Sequence, residues 1–173
     1  MNIRDISQRL RRDRGQALIE FILVVPMIFL LILNLVNFGG FFYAWITVAN
    51  AARAGANYAI QGPSSASGPG ASLTAPSASQ ITAIIQNDIS SLPNSASLSV
   101  DICQSQFGTV STKAGSCTSI PADPESSTYM LKTIDVTYTY VPFIQVFSFP
   151  SLGVYLTIPP TTIYQRAEMR QIL

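Results

Sequence analysis

Between Glu20 and Arg53 the chain carries no charged residue, and from Phe21 to Phe42 it is almost wholly Ile, Leu, Val, Phe and Met. As an α-helix that stretch would cover about 33 Å, against a bilayer hydrocarbon core of about 30 Å. Tyr43 and Trp45 follow, at the depth where rings with a polar tip are favoured. A secretory signal has a similar basic start, but its apolar centre is shorter, about 7 to 15 residues. Ala49-Asn50-Ala51 could mimic a signal-peptidase site, yet the helical pattern runs straight through it. One acid, Glu20, stands at the head of this run. A carboxylate at bilayer depth costs roughly 2.5 to 3.5 kcal/mol, so it calls for a compensating partner or for a position from which it snorkels to water.

Charge is sorted along the chain. Only 11% of the residues are charged and 48% are hydrophobic, with a mean hydropathy of +0.33, a balance that suits an anchored protein better than a soluble enzyme. Arg4, Arg9, Arg11, Arg12 and Arg14 precede the run against Asp5 and Asp13, whereas acids outnumber bases after it. Basic residues beside a single span stay in the cytoplasm, so the amino terminus is expected inside and everything after about residue 50 outside. A basic arm without interleaved aromatics, abutting a span, points to topology and not to a nucleic-acid partner.

Past the run, Asn50, Arg53 and Asn57 share one helical face, while Ala51, Gly55 and Ala59 recur every fourth residue as a small-residue stripe. The helix should therefore project from the bilayer to about Ile60. Such a stripe lets helices approach closely, whether sister helices or another membrane subunit; alanine is also simply a good helix former. Pro26 lacks a backbone donor and is expected to kink or loosen the helix near Ile22. Asn34 and Asn37, three apart, could bond between helices or be satisfied within their own.

These residues together resemble the TadE-like family, the small pilin-like proteins of bacterial tight-adherence (Flp-type) pilus systems. The resemblance rests on RGQALIEFILVVP, with Gly15, Glu20, Phe21 and Pro26, and on NFGGFFYAWITVANAARAGANYA, with Phe38, Gly39, Tyr43, Asn50, Ala51, Ala52, Arg53, Gly55, Tyr58 and Ala59. It implies cleavage between Gly15 and Gln16 by a prepilin peptidase, with Glu20 and Phe21 serving subunit recognition. It further implies a single-pass inner-membrane protein, amino terminus cytoplasmic and carboxyl-terminal domain periplasmic, acting as a minor pilin-like subunit in assembling or priming a pilus. Its partners would be the peptidase, other pilin-like subunits, the inner-membrane assembly platform and the lipid bilayer. Two positions depart from the pattern: Gln16 replaces the large apolar residue of many type IV pilins, and Asn37 stands where many relatives carry an acid. A chain with the same features but no cut would be a permanently anchored envelope protein scaffolding a secretion or adhesion complex.

The remainder reads as a small α+β domain. Residues 1–15 form a basic leader, 16–60 the membrane and projecting helix, 61–79 a Gly/Pro/Ser-rich linker and 80–173 the domain. Ile81, Ile84, Ile85 and Ile89 mark a short helix over about 79–90. Its cover should be an antiparallel sheet: Leu98, Val100 and Ile102 alternate, as do Ile134, Val136, Tyr138 and Tyr140, and a third stretch runs through Val154, Leu156 and Ile158, is interrupted by Pro159 and Pro160 and resumes around Ile163, as an edge strand or the break between two short strands. Cys103 and Cys117 lie on the side where disulfides persist, and a bridge between them is favoured over free thiols. The segment VPFIQVFSF, 141–149, is either core filling or a patch for a partner, core being the simpler expectation. With no histidine, His-based triads and zinc-protease motifs are excluded, and the outer acids show no pairing in sequence. We expect no enzyme, no cofactor and no metal site.

Overall fold

The computed structural model describes residues 3–61, 76–118, 120, 123, 128–144, 147–149, 154–155 and 157–172. Most of the proposed linker lies outside these residues. The elements in chain order are helix α1 (Ile3–Gln61), helix α2 (Ala78–Ile89), and strands β1 (Ser99–Gln106), β2 (Thr109–Ala114), β3 (Tyr129–Tyr140), β4 (Phe147–Phe149), β5 (Val154–Tyr155) and β6 (Thr161–Ile172). The chain forms two compact units, Met1–Gly40 with Pro142–Pro159, and Phe41–Val141 with Pro160–Leu173. The architecture is α+β, and α1 contributes to both units.

Within α1, Leu18–Ile60 is long and apolar enough to cross a membrane, consistent with single-pass anchoring. Helical backbone continues through Pro26. Most large side chains over the first part of this stretch, Leu18, Ile22, Met27 and Leu31 among them, are exposed. In water such a surface would be prohibitive; lipid is the solvent that suits it.

The second unit is built on the other part of α1. Ala44, Val48, Ala51, Ala52, Ala56 and Ala59 are all buried, in one cluster with Ile81, Ile85 and Ile89 of α2 and with Ile102, Ile134, Val136, Tyr138 and Ile163 of the sheet. The small-residue stripe thus serves packing inside the chain. A Cβ placed on Gly55 would sit 2.7 Å from Ile85 Cδ1 and 3.4 Å from Ile134 Cδ1, so glycine sets how closely α1 meets its cover.

Helix α2 begins one residue earlier than its isoleucine pattern suggested, because Ser77 and Gln80 form a capping box: the Gln80 N–H donates to Ser77 Oγ and the Ser77 N–H to Gln80 Oε1. Its Ile81, Ile85 and Ile89 face inward. The main sheet has the order β2-β1-β3-β6, with every neighbouring pair antiparallel. Side chains alternate across β3, sending Ile134, Val136, Tyr138 and Tyr140 to the helices. The Tyr138 hydroxyl donates to the Pro93 carbonyl, and the Tyr140 ring meets Phe41 edge-to-face at 5.6 Å.

Two readings left open by the sequence are narrowed. The stretch beginning at Val154 is not an edge strand of the main sheet but one side of a break between two strands: β5 pairs with β4 in a separate two-stranded sheet, and the segment that resumes after Pro160, through Ile163, is β6, the fourth main strand. Paired prolines end one segment and free the chain to start another. Phe143, expected in the core, is 61% exposed.

Cys103 and Cys117 are disulfide-bonded with Cα atoms 5.8 Å apart, closing the β1–β2 hairpin and the turn after it. A loop of this length is worth about 3 kcal/mol by the chain-entropy argument. The close approach at Gly55 gives a sharper test. Replacing it with leucine forces side-chain volume against buried Ile85, and chemical denaturation of the full chain in detergent should show a loss of about 3 kcal/mol.

Candidate functional site

The residues singled out by sequence fall on three surfaces. On the first, at the head of the apolar helix, Gln16 and Glu20 are both exposed and lie one turn apart on α1. Gln16 Nε2 donates to Glu20 Oε1 at 3.2 Å. Phe21 is exposed beside them. The Gly15–Gln16 peptide bond lies within helical backbone. Any protease acting there must first unwind a turn, and glycine lowers the helical preference by about 1 kcal/mol relative to alanine.

Further along the helix the two asparagines diverge. Asn34 Nδ2 donates to its own Leu30 carbonyl at 2.9 Å, the intrahelical alternative. Asn37 is fully buried and reaches across the first unit: Nδ2 donates to the Ile144 carbonyl at 2.7 Å, and the Ile144 N–H donates to Oδ1 at 3.1 Å. That amide engages the backbone of Ile144 as a neighbouring β-strand would. The Ile144 carbonyl also accepts from Thr157 Oγ1 at 3.2 Å. Sequence spacing had no means of linking positions 37 and 144.

The third surface is the face of the main sheet turned away from its helices. Here β1 and β3 set Asp101 opposite Asp135, a pairing of acids not seen in the sequence. Like charges so placed repel, and each is answered. Arg166 grips buried Asp135 through two parallel bonds, Nε to Oδ1 at 2.7 Å and Nη2 to Oδ2 at 2.8 Å. That bonding raises the Arg166 pKa further above its ordinary value. Burial, followed by the hydrogen bond and charge of Asp135, raises the Tyr164 phenol. Asp101 Oδ1 accepts the Ser116 N–H at 3.1 Å. Gly115, at φ +69°, lets that turn fold tightly over Asp101, where an added Cβ would collide with the carboxylate.

A cavity of about 480 Å³ is lined by Ala59, Ile81, Ile102, Lys113, Met130 and Lys132, among others. Lys132 Nζ donates to Gln104 Oε1 at 2.9 Å, and its pKa is lowered by burial and then by Lys113. No carboxylate joins the described lining. The polar side chains of this unit hold strands and turns in register, an arrangement suited to stability.

The segment with the strongest pattern is α1 itself. Residues 15–57 match the family model described as TadE-like protein. The chain carries a TadE-like domain. The match takes in 43 of the 173 residues, all of them in the apolar helix. No curated protein and no solved structure matches the chain. The match lies wholly within α1, covering Glu20, Asn37 and Gly55 and stopping before α2.

The sheet's buried ion pair is the part of this geometry most exposed to a single change. Arg166→Met leaves Asp135 buried without its cation and opposite Asp101. Denaturant titration should register a loss of about 3 to 5 kcal/mol, whereas Arg166→Lys should retain part of the stability.

Proposed function

We propose that the TadE-like chain is a minor pilin-like subunit of a bacterial tight-adherence pilus, cut after Gly15 by a prepilin peptidase and contributing to pilus assembly or priming. Its amino terminus faces the cytoplasm, α1 crosses the inner membrane once, and the sheet domain is periplasmic. Its partners are the peptidase, other pilin-like subunits, the assembly platform and the bilayer. The observation that carries this reading is the exposed Glu20, one turn after Gln16 at the head of a lipid-suited helix within the TadE-like match.

Cleavage would change the electrostatics of that turn. The new amine at Gln16 lies about 6 Å along the axis from Glu20. In the uncut chain the Glu20 carboxylate already accepts from the Gln16 side chain. An incoming subunit whose amine approaches Glu20 replaces a neutral donor with a cation, and in low dielectric that attraction is far stronger than in water. The charged pair then has a reason to stay in lipid together.

Mass spectrometry of the protein from membrane and sheared-pilus fractions tests the cut: the mature chain should begin at Gln16. Recovery of the intact leader from cells with an active peptidase would establish the anchored scaffold instead. Glu20→Gln should insert normally but enter assemblies at least about ten-fold less efficiently, as expected for the loss of a paired charge worth about 1.4 kcal/mol or more. Wild-type incorporation of that variant would refute the charge-pairing mechanism.

A further inference from the structure

The chain carries no Asp, Glu, Lys or Arg between Asp135 and Arg166. The middle of that stretch, Pro142–Pro159, belongs to the same compact unit as Met1–Gly40. Phe143 is 61% exposed and Ile144 37% exposed, while Val146, Phe147, Phe149 and Leu152 follow in sequence. An apolar, uncharged segment on a periplasmic surface would be an aggregation hazard. Its attachment point supplies a different solvent.

That attachment is Asn37. Along α1, Asn37 lies about 26 Å from Glu20, so with Glu20 at one edge of the hydrocarbon it sits about 4 Å inside the other edge, given a core of about 30 Å. Ile144, held by both ends of the Asn37 amide, must lie at the same depth. The backbone around it is prepared for such a place. The Ile144 N–H is taken by Asn37, its carbonyl by Asn37 and Thr157, and β4 pairs with β5 through Phe147 with Tyr155 and Phe149 with Val154. Backbone polar groups in lipid need internal partners of this kind.

We propose that Phe143 and Ile144, together with the paired strands β4 and β5, form a second membrane-contact element, a hairpin that lies in the bilayer leaflet remote from Glu20 and is fixed in depth by Asn37. It rests on the reading of α1 as a span. The consequence is a two-point grip on lipid: the helix crosses, and the hairpin enters from the far side. A helix alone is free to rotate about its axis and to tilt; a hairpin bonded to one face restricts both.

The test is depth-dependent fluorescence quenching of the full chain in phosphatidylcholine–phosphatidylglycerol vesicles with brominated acyl chains. Trp45→Phe removes the single native tryptophan, and Phe143→Trp or Phe29→Trp then places one reporter in the hairpin or in mid-span. The Phe143→Trp reporter should be quenched at least about two-fold by bromines placed high on the chain and less by bromines near its end, as befits an interfacial ring. Adding Asn37→Leu, which keeps the span apolar but removes the tether, should reduce that quenching by about half. If Phe29→Trp is quenched but Phe143→Trp is not, the hairpin proposal fails while the span stands. Phe143→Trp shielded from both brominated lipid and aqueous iodide would mean that protein covers the segment, which also overturns the proposal. An unquenched Phe29→Trp would refute the span itself.

Discussion

The meeting of Gly55 with Ile85 and Ile134 fixes the geometry of the sheet-bearing unit. An α-helix lined by alanine and glycine presents almost bare backbone, so α2 and the sheet approach it more closely than leucine-sized residues would allow. The large side chains then come from the other partners: three isoleucines of α2, and Ile134, Val136, Tyr138 and Tyr140 of β3. This division suits a helix with two duties. Where α1 is exposed and apolar, bulky side chains cover its backbone; where it serves as core, small ones admit a second layer.

The sheet divides its faces just as sharply. Toward the helices β3 sends apolar and aromatic groups, and on the other side it carries Thr133 and Asp135, both buried. Burying polar groups costs free energy unless they are answered, and here Arg166 answers Asp135 and Ser105 Oγ accepts the Asp123 N–H at 2.9 Å, while the Thr133 hydroxyl is buried without a hydrogen-bond partner among the described residues. The disulfide from Cys103 constrains the same region from the edge of the hairpin. A small domain with limited apolar volume gains order from such specific, directional contacts.

What the sequence discloses follows from how each element earns its stability. The apolar run, the isoleucine spacing of α2 and the alternation on β3 are legible because burial is periodic. Strand β2 is not: TVSTKA is exposed along most of its length and carries no alternating apolar signal. It is held by backbone pairing to β1 and by a tight turn in which Phe107 and Gly108 both take positive φ. The register that sets Asp101 against Asp135, and the bond from Asn37 to Ile144, are products of tertiary folding between distant positions. No local pattern encodes them. The small-residue stripe was visible, but its use within the chain depended on where α2 and the sheet came to rest.

Asn37 shows why an amide, and not an acid, belongs at this position of this chain. A carboxylate could accept the Ile144 N–H, but when ionised it has no proton for the Ile144 carbonyl. The amide does both, with Nδ2 and Oδ1 each engaged. Near the lipid boundary an ionised acid would also carry a solvation cost of up to about 3 kcal/mol, which the neutral amide avoids. A carboxylate suits a site that awaits a cation, as at Glu20. At Asn37, where backbone is already in place, the neutral group that donates and accepts is the better match, and on the proposed function the choice separates an assembly contact at Glu20 from an internal one along the same helix.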